Sequence, residues 1–221
     1  MANSRNSRSR NKASGLQVEF ERALGDILAR VCVSATEGSA KPTEGSAKPS
    51  IAFPLVTAGS ATPPPVTENR PSIAVAYSGG LDSSVLLHLA SEYARTHELP
   101  IYAFHIHHGL SPNADAWLAH CQAESDRCGA TFAAAKVDVA GNGGRGVEEA
   151  ARIARYAGLG DLCRHHSVSL LLTAHHQDDQ AETVLLQLMR GAGLPGLSGI
   201  AAFQQHHDLL GAGIALGRPL L

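Results

Sequence analysis

At 221 residues and 44% hydrophobic content, the chain is long enough for one sizeable globular domain and a smaller appendage. Residues 1–71 carry 9 Lys+Arg against 6 Asp+Glu, whereas residues 72–221 carry 9 against 14 and hold all 12 His. So acidic a core argues against self-sufficient grip on a nucleic-acid backbone, and no run approaches about 18 uninterrupted apolar residues, which excludes a membrane-spanning helix.

The four cysteines, Cys32, Cys121, Cys128 and Cys163, form no CxxC pair, so zinc and iron–sulfur spacings are missing and reduced, mostly buried thiols are expected. The basic amino terminus has no apolar signal core directly after it, which makes a soluble cytoplasmic protein the expected setting.

In chain order, residues 1–15 are Ser/Asn/Arg-rich and are expected to be a disordered basic tail. Leu16, Phe20, Ala23, Leu24, Ile27, Leu28 and Val31 recur at helical spacing and predict a leading amphipathic helix over 16–33. Residues 34–70 read as a low-complexity linker. A heptapeptide, Thr36 to Pro42, repeats as Thr43 to Pro49, and a Pro-rich stretch follows through Pro65. The helix can still dock on the core across it, because lengthening a loop costs little entropy.

From residue 71 onward the pattern becomes that of a nucleotide-binding domain. Strands are expected at 72–77, 100–106, 131–138 and 168–174, with a weaker one at 213–220. Helices are expected at 83–96, 113–128, 147–166 and 179–190. Alternation of this kind predicts an α/β fold, a Rossmann-like parallel sheet with helices on both faces and ligands beyond the carboxyl ends of the strands.

The first strand runs into Ser78-Gly79-Gly80-Leu81-Asp82-Ser83. A strand, a glycine turn and a helix start aim backbone N–H groups and the positive helix end at one small volume, which suits phosphate. The Lys of a Walker A loop is absent, and an Asp stands inside the turn. Asp82 among phosphate donors makes sense if Mg²⁺ bridges it to a nucleotide. An ordinary Asp in the first helical turn is the plainer alternative.

The second strand ends in His105, His107 and His108, which lack carboxylate or Cys partners at metal-ligand spacing. They read either as histidines closing a strand end by hydrogen bonding or as donors to a nucleotide. At the end of the fourth strand stand His175, Asp178 and Glu182. A helix beginning near Asp178 would put the two acids on one face beside His175, although a first-turn acid is also stabilised without function. Arg152 and Arg155, at i and i+3, can present two planar donors to phosphates, with a Glu148–Arg152 surface pair as the competing reading.

The pattern SGGxDS resembles the PP-loop of the ATP pyrophosphatases, adenine nucleotide alpha hydrolase-like enzymes that cleave ATP between its α and β phosphates. HHGL, GVEEAARIARY, TAHHQDDQAET, RGAGLPGLSGI and the closing RPLL follow it in order. Over residues 72–221 the chain therefore resembles the ATP-binding domain of the tRNA(Ile)-lysidine synthetase family. The resemblance implies a ligase using ATP, Mg²⁺ and free lysine on the wobble cytidine (position 34) of an isoleucine tRNA with a CAU anticodon. ATP adenylates the cytosine C2 oxygen, and the lysine amine then displaces AMP to give lysidine.

Ser78, Gly79, Gly80, Leu81, Asp82, Ser83 and His108 are the expected nucleotide-binding residues, and Asp82 is also the expected metal contact. Asp82, Arg152, His175 and Asp178 are the expected catalytic set. A homodimer rests on analogy alone. Family members continue past RPLL into a region that helps bind tRNA. Its absence here leads us to expect ATP binding to persist more readily than complete lysidine synthesis. The rival expectations are a thiolase-type PP-loop tRNA-modifying enzyme and a truncated nucleotide-binding module.

Overall fold

The computed structural model describes residues 3–37, 55–56, 71–107, 113–137 and 146–221. Helix α1 (Asn3–Glu37) is followed by β1 (Leu55–Val56), β2 (Ile73–Ala76), α2 (Leu81–His97), β3 (Ile101–His107), α3 (Ala114–Cys128) and β4 (Thr131–Lys136). Helix α4 (Val147–His165), β5 (Leu170–Leu172), α5 (Gln177–Met189), a 3₁₀ turn (Leu194–Ser198), β6 (Phe203–Gln204) and β7 (Ala215–Gly217) complete the order.

The sheet order is β1-β4-β3-β2-β5-β7-β6. Strands β4, β3, β2, β5 and β7 are parallel, while the short β1 and β6 pair antiparallel at the two edges. The parallel strands thus follow the doubly wound order, with the direction of winding reversing between β2 and β5. That reversal opens a crevice at their carboxyl ends.

Alternation along the strands sorts the core into two layers. Ile73, Val75, Ala103, Phe132, Leu170 and Leu172 face α1, α2 and α3, where Phe20, Leu24, Leu86 and Ala90 meet them. Ala74, Tyr102, Phe104, Ala133, Leu171 and Leu216 face α4, against Leu159, Leu162 and Cys163. Both faces are therefore covered, as expected for a parallel sheet.

Two expectations change. Helix α1 begins at Asn3, so residues 3–15 of the expected disordered tail are helical. No Gly or Pro occurs between residues 3 and 14 to stop it, and Arg, Lys and Ala favour helix. Its expected apolar stripe docks on the core, burying Phe20, Leu24, Ile27 and Leu28. The linker also contributes β1, paired with Ala134 and Ala135 of β4. Residues 34–37 of that span end α1, and the remaining linker residues, with most of the heptapeptide repeat, lie outside the described residues.

Gly160 on α4 marks the tightest packing of helix against chain. A Cβ there would stand 2.3 Å from the carbonyl oxygen of Leu210, backbone that cannot swing aside. Gly160→Ala gains about 1 kcal/mol of helix propensity, yet overpacking typically costs about 1–3 kcal/mol. Overlap with a fixed backbone atom belongs at the upper end of that range. Net destabilisation of about 1–2 kcal/mol is expected, read as a lower urea midpoint with an unchanged m-value.

Candidate functional site

The loops after β2 and β5 flank the crevice and meet over a cavity of about 870 Å³. After β2, Gly79 takes φ +83° and turns the chain. A Cβ on it would stand 2.8 Å from Cys121 Sγ and 3.3 Å from the Trp117 ring, so residue 79 must be glycine for both conformational and steric reasons. Gly80 then caps α2 without a side-chain hydrogen bond to the helix amides. The hydroxyls tie the turn together instead. Ser83 and Ser84 donate to the Gly80 carbonyl at 3.0 and 2.9 Å, Ser78 and Ser83 Oγ are 3.0 Å apart, and the Gly80 N–H donates to Ser78 Oγ. The helix end is thereby left open to an anion.

After β5, His176 rather than Asp178 starts the helix. His176 Nδ1 accepts from the Asp178 N–H, and the His176 N–H donates to Asp179 Oδ2 at 2.8 Å, a reciprocal capping box. With Nδ1 accepting, the neutral ring carries its proton on Nε2. That nitrogen lies 3.8 Å from Asp82 Oδ2 and 3.7 Å from Asp179 Oδ2. The two loops thus bring Asp82, His176 and Asp179 together across the crevice.

The expected site residues divide accordingly. Ser78, Gly80, Asp82, Ser83, Arg152 and His175 line the cavity. Gly79 packs behind it, and the Leu81 side chain points into solvent, 79% exposed. Asp178 is exposed and is not among the lining residues, whereas Asp179 is. The reason is the helix start. With the cap at His176, Asp179 falls at N3 and turns back toward the cap, while Asp178 and Glu182 share an exposed face. A capping box read from His176-x-x-Asp179 would have found this. His108 lies outside the described residues.

Arg152 reaches the cavity while its Nε and Nη2 donate to both oxygens of Glu149 at 2.8 and 2.9 Å. The ion pair expected with Glu148 is therefore made with Glu149, and it raises the guanidinium pKa further. Arg155 lines the cavity as well.

His105 donates from Nδ1 to the Tyr77 carbonyl at 2.9 Å, joining the ends of β3 and β2, which is the strand-closing role. His175 Nδ1 lies 3.0 Å from Thr173 Oγ1. Arg218, of the RPLL motif, is buried and donates to the Ala201 carbonyl at 2.6 Å and Gln204 Oε1 at 3.0 Å. Its role as an anchor for the chain end was not legible as a motif.

Burial holds His105, His166, His175 and His207 below the usual 6.5, with Arg218 the next cause at His175 and His207. In the unfolded chain these rings take protons near 6.5, so below that pH the unfolded state binds more protons. The stability they contribute is fully present above about 6.5 and is lost as pH falls toward the folded values. A lower urea midpoint is expected at about pH 5.5 than at about pH 7.5. His166→Phe, whose ring would sit beside Tyr102 and Phe104 in place of the imidazole, should reduce that drop.

The profile of the PP-loop domain matches residues 59–221. A Burkholderia mallei protein named tRNA(Ile)-lysidine synthase is 52% identical over 149 residues, covering 67% of this chain and 29% of its own length. One of the same name from Ralstonia nicotianae is 54% identical over 135 residues, covering 60% and 29%. The chain thus spans under a third of the length of these relatives. Among solved structures, the U34-tRNA thiolase NcsA of Methanococcus maripaludis, determined with its 4Fe–4S cluster, has a TM-score of 0.52 at 18% identity. That match covers 68% of this chain and 51% of the other, and it speaks to the fold. The glycine turn with its inset Asp82, open to the crevice where the winding reverses, and the match over most of the chain lead to one statement: this chain belongs to the PP-loop family of ATP-binding domains.

Proposed function

We propose that the chain is the ATP-binding, base-adenylating part of a tRNA(Ile)-lysidine synthase acting in the cytoplasm. The observation that carries this reading is the meeting of Asp82 and Asp179 around His176 in an arginine-lined cavity. About half of the aligned residues are identical to proteins of that name, which supports it.

The cytosine C2 oxygen is a poor leaving group. Its attack on the α-phosphorus of ATP expels pyrophosphate and leaves the oxygen bonded to AMP. The lysine ε-amine then adds at C2, and the C2–O bond breaks to release AMP. The first step concentrates negative charge on phosphate oxygens. The open end of α2, Arg152 and Arg155 are the groups available to stabilise it. The second step needs a deprotonated amine. Asp179, the lining carboxylate on the α5 side, takes the role that the sequence suggested for Asp178.

The Asp82 side chain is 60% exposed, and His176 is the basic group beside it. Among the described residues no cluster of three or more His, Cys, Asp or Glu could hold a metal by itself. This donor set fits Mg²⁺, which Asp82 would help to hold and which would supply charge neutralisation beside a bound nucleotide.

Sulfur transfer fits the cavity less well. No cysteine lines it among the described residues, and burial pushes the Cys121 and Cys163 thiols up to about 11 and about 12. No helix among the described residues is long and apolar enough to cross a membrane. The test is incubation with ATP, Mg²⁺, labelled lysine and a CAU-anticodon isoleucine tRNA. Lysine should enter the RNA only when both ATP and that tRNA are present. ATP binding without any lysine transfer would leave the nucleotide-binding module as the correct reading.

A further inference from the structure

We propose that Trp117 is the stacking platform for the RNA base that is to be adenylated; this rests on the reading that a base is activated in this cavity. Trp117 is the chain's single tryptophan and stands in the first turns of α3 on the cavity wall. The other Phe and Tyr side chains of that wall, Tyr77, Phe104 and Tyr156, are at most 9% exposed and belong to the core, whereas Trp117 is 49% exposed. Among the described residues it is therefore the one lining ring of this kind with open surface to offer. Base–aromatic stacking is the usual way in which an unstacked nucleotide is held.

Its position selects which base. Trp117 Cε3 and Cζ3 lie 3.3 and 3.6 Å from the point where a Cβ on Gly79 would stand, so the indole abuts the phosphate loop itself. His120, one turn further along α3, meets the ring at 86° with centroids 5.7 Å apart and braces it. An oxygen that attacks the α-phosphorus must approach to about 3–3.5 Å, whereas the adenine is held off from that phosphorus by its ribose. A ring against the phosphate loop is thus placed for the acceptor base rather than for adenine.

The edge of such a base also needs a partner. His107, 8% exposed on the same wall, has neither ring nitrogen in a hydrogen bond among the described residues. Its Nε2 is 3.2 Å from Asp115 Oδ1, close enough for attraction but outside hydrogen-bond geometry. Face and edge contacts are then both available beside the phosphates.

Because the chain has one tryptophan, fluorescence excited at wavelengths that tyrosine does not absorb reports on this ring alone. The protein is saturated with an ATP analogue carrying a methylene between the α and β phosphorus, then titrated with a 17-nucleotide CAU anticodon stem–loop. Quenching is expected with this RNA and not with the same stem–loop made abasic at the wobble position. Trp117→Ala should weaken stem–loop binding about 5- to 100-fold, Trp117→Phe should retain most of it, and both should bind the ATP analogue within about twofold of the parent.

Quenching by the ATP analogue that RNA does not deepen, equal quenching by the abasic RNA, or no quenching at all would overturn the assignment. The two readings fail separately. Base-dependent quenching without lysine incorporation upholds the platform and sinks the ligase. Lysine incorporation by Trp117→Ala with an unchanged RNA KM does the reverse.

Discussion

Asp82→Asn is expected to lower lysine incorporation by about 10²- to 10³-fold while leaving the fold intact. The substitution keeps the shape of the side chain and removes its charge, and with it the anchor proposed for a cation at the phosphates. Losing one well-placed electrostatic stabiliser costs on the order of 10²–10³ in turnover. Stability should hardly change, because the side chain is exposed and its favourable position in the first turn of α2 is worth only about 0.3–1 kcal/mol. The check is pyrophosphate release at saturating ATP over a Mg²⁺ series, with the thermal midpoint measured alongside. Unchanged turnover would remove Asp82 from the mechanism.

Gly79→Ala should be almost as damaging for a different reason. At φ +83° an alanine costs about 1–2 kcal/mol in backbone strain, and its methyl group would meet Cys121 Sγ at 2.8 Å. Cys121 is fully buried and has little room to retreat, so the loop must move instead. A displacement of about 1 Å in a positioning element can cost about 10²-fold. We expect ATP affinity and turnover both to fall. Adding Cys121→Ala should restore part of the loss, since it returns the space but not the φ preference. Isothermal titration with ATP on the single and double variants separates the two contributions. Full recovery in the double variant would mean that strain plays no part.

Much of the architecture was legible because its signals are periodic. Strands rich in Ala, Val, Ile and Leu between amphipathic helices gave the parallel sheet, and each of the five parallel strands lies within or beside its expected span. Strands β1 and β6 were not legible, because two residues carry no periodicity and β1 sits in a low-complexity linker. In the site, the glycine turn between a strand and a helix was readable from Gly79, Gly80 and Asp82, since few other structures require that combination after a strand. That Asp179 rather than Asp178 lines the cavity was not, because it turns on a one-residue shift of the helix cap to His176. Trp117 was passed over because its contact with Gly79 joins two segments 38 positions apart, which no local pattern records.

In the proposed reaction the acceptor oxygen leaves on AMP. A CAU anticodon stem–loop bearing ¹⁸O at the C2 carbonyl of its wobble cytidine, reacted with ATP and lysine, tests it directly by mass spectrometry of the nucleotide released. One ¹⁸O in AMP is expected for each lysine incorporated, and none in pyrophosphate. Unlabelled AMP accompanying lysine transfer would contradict it.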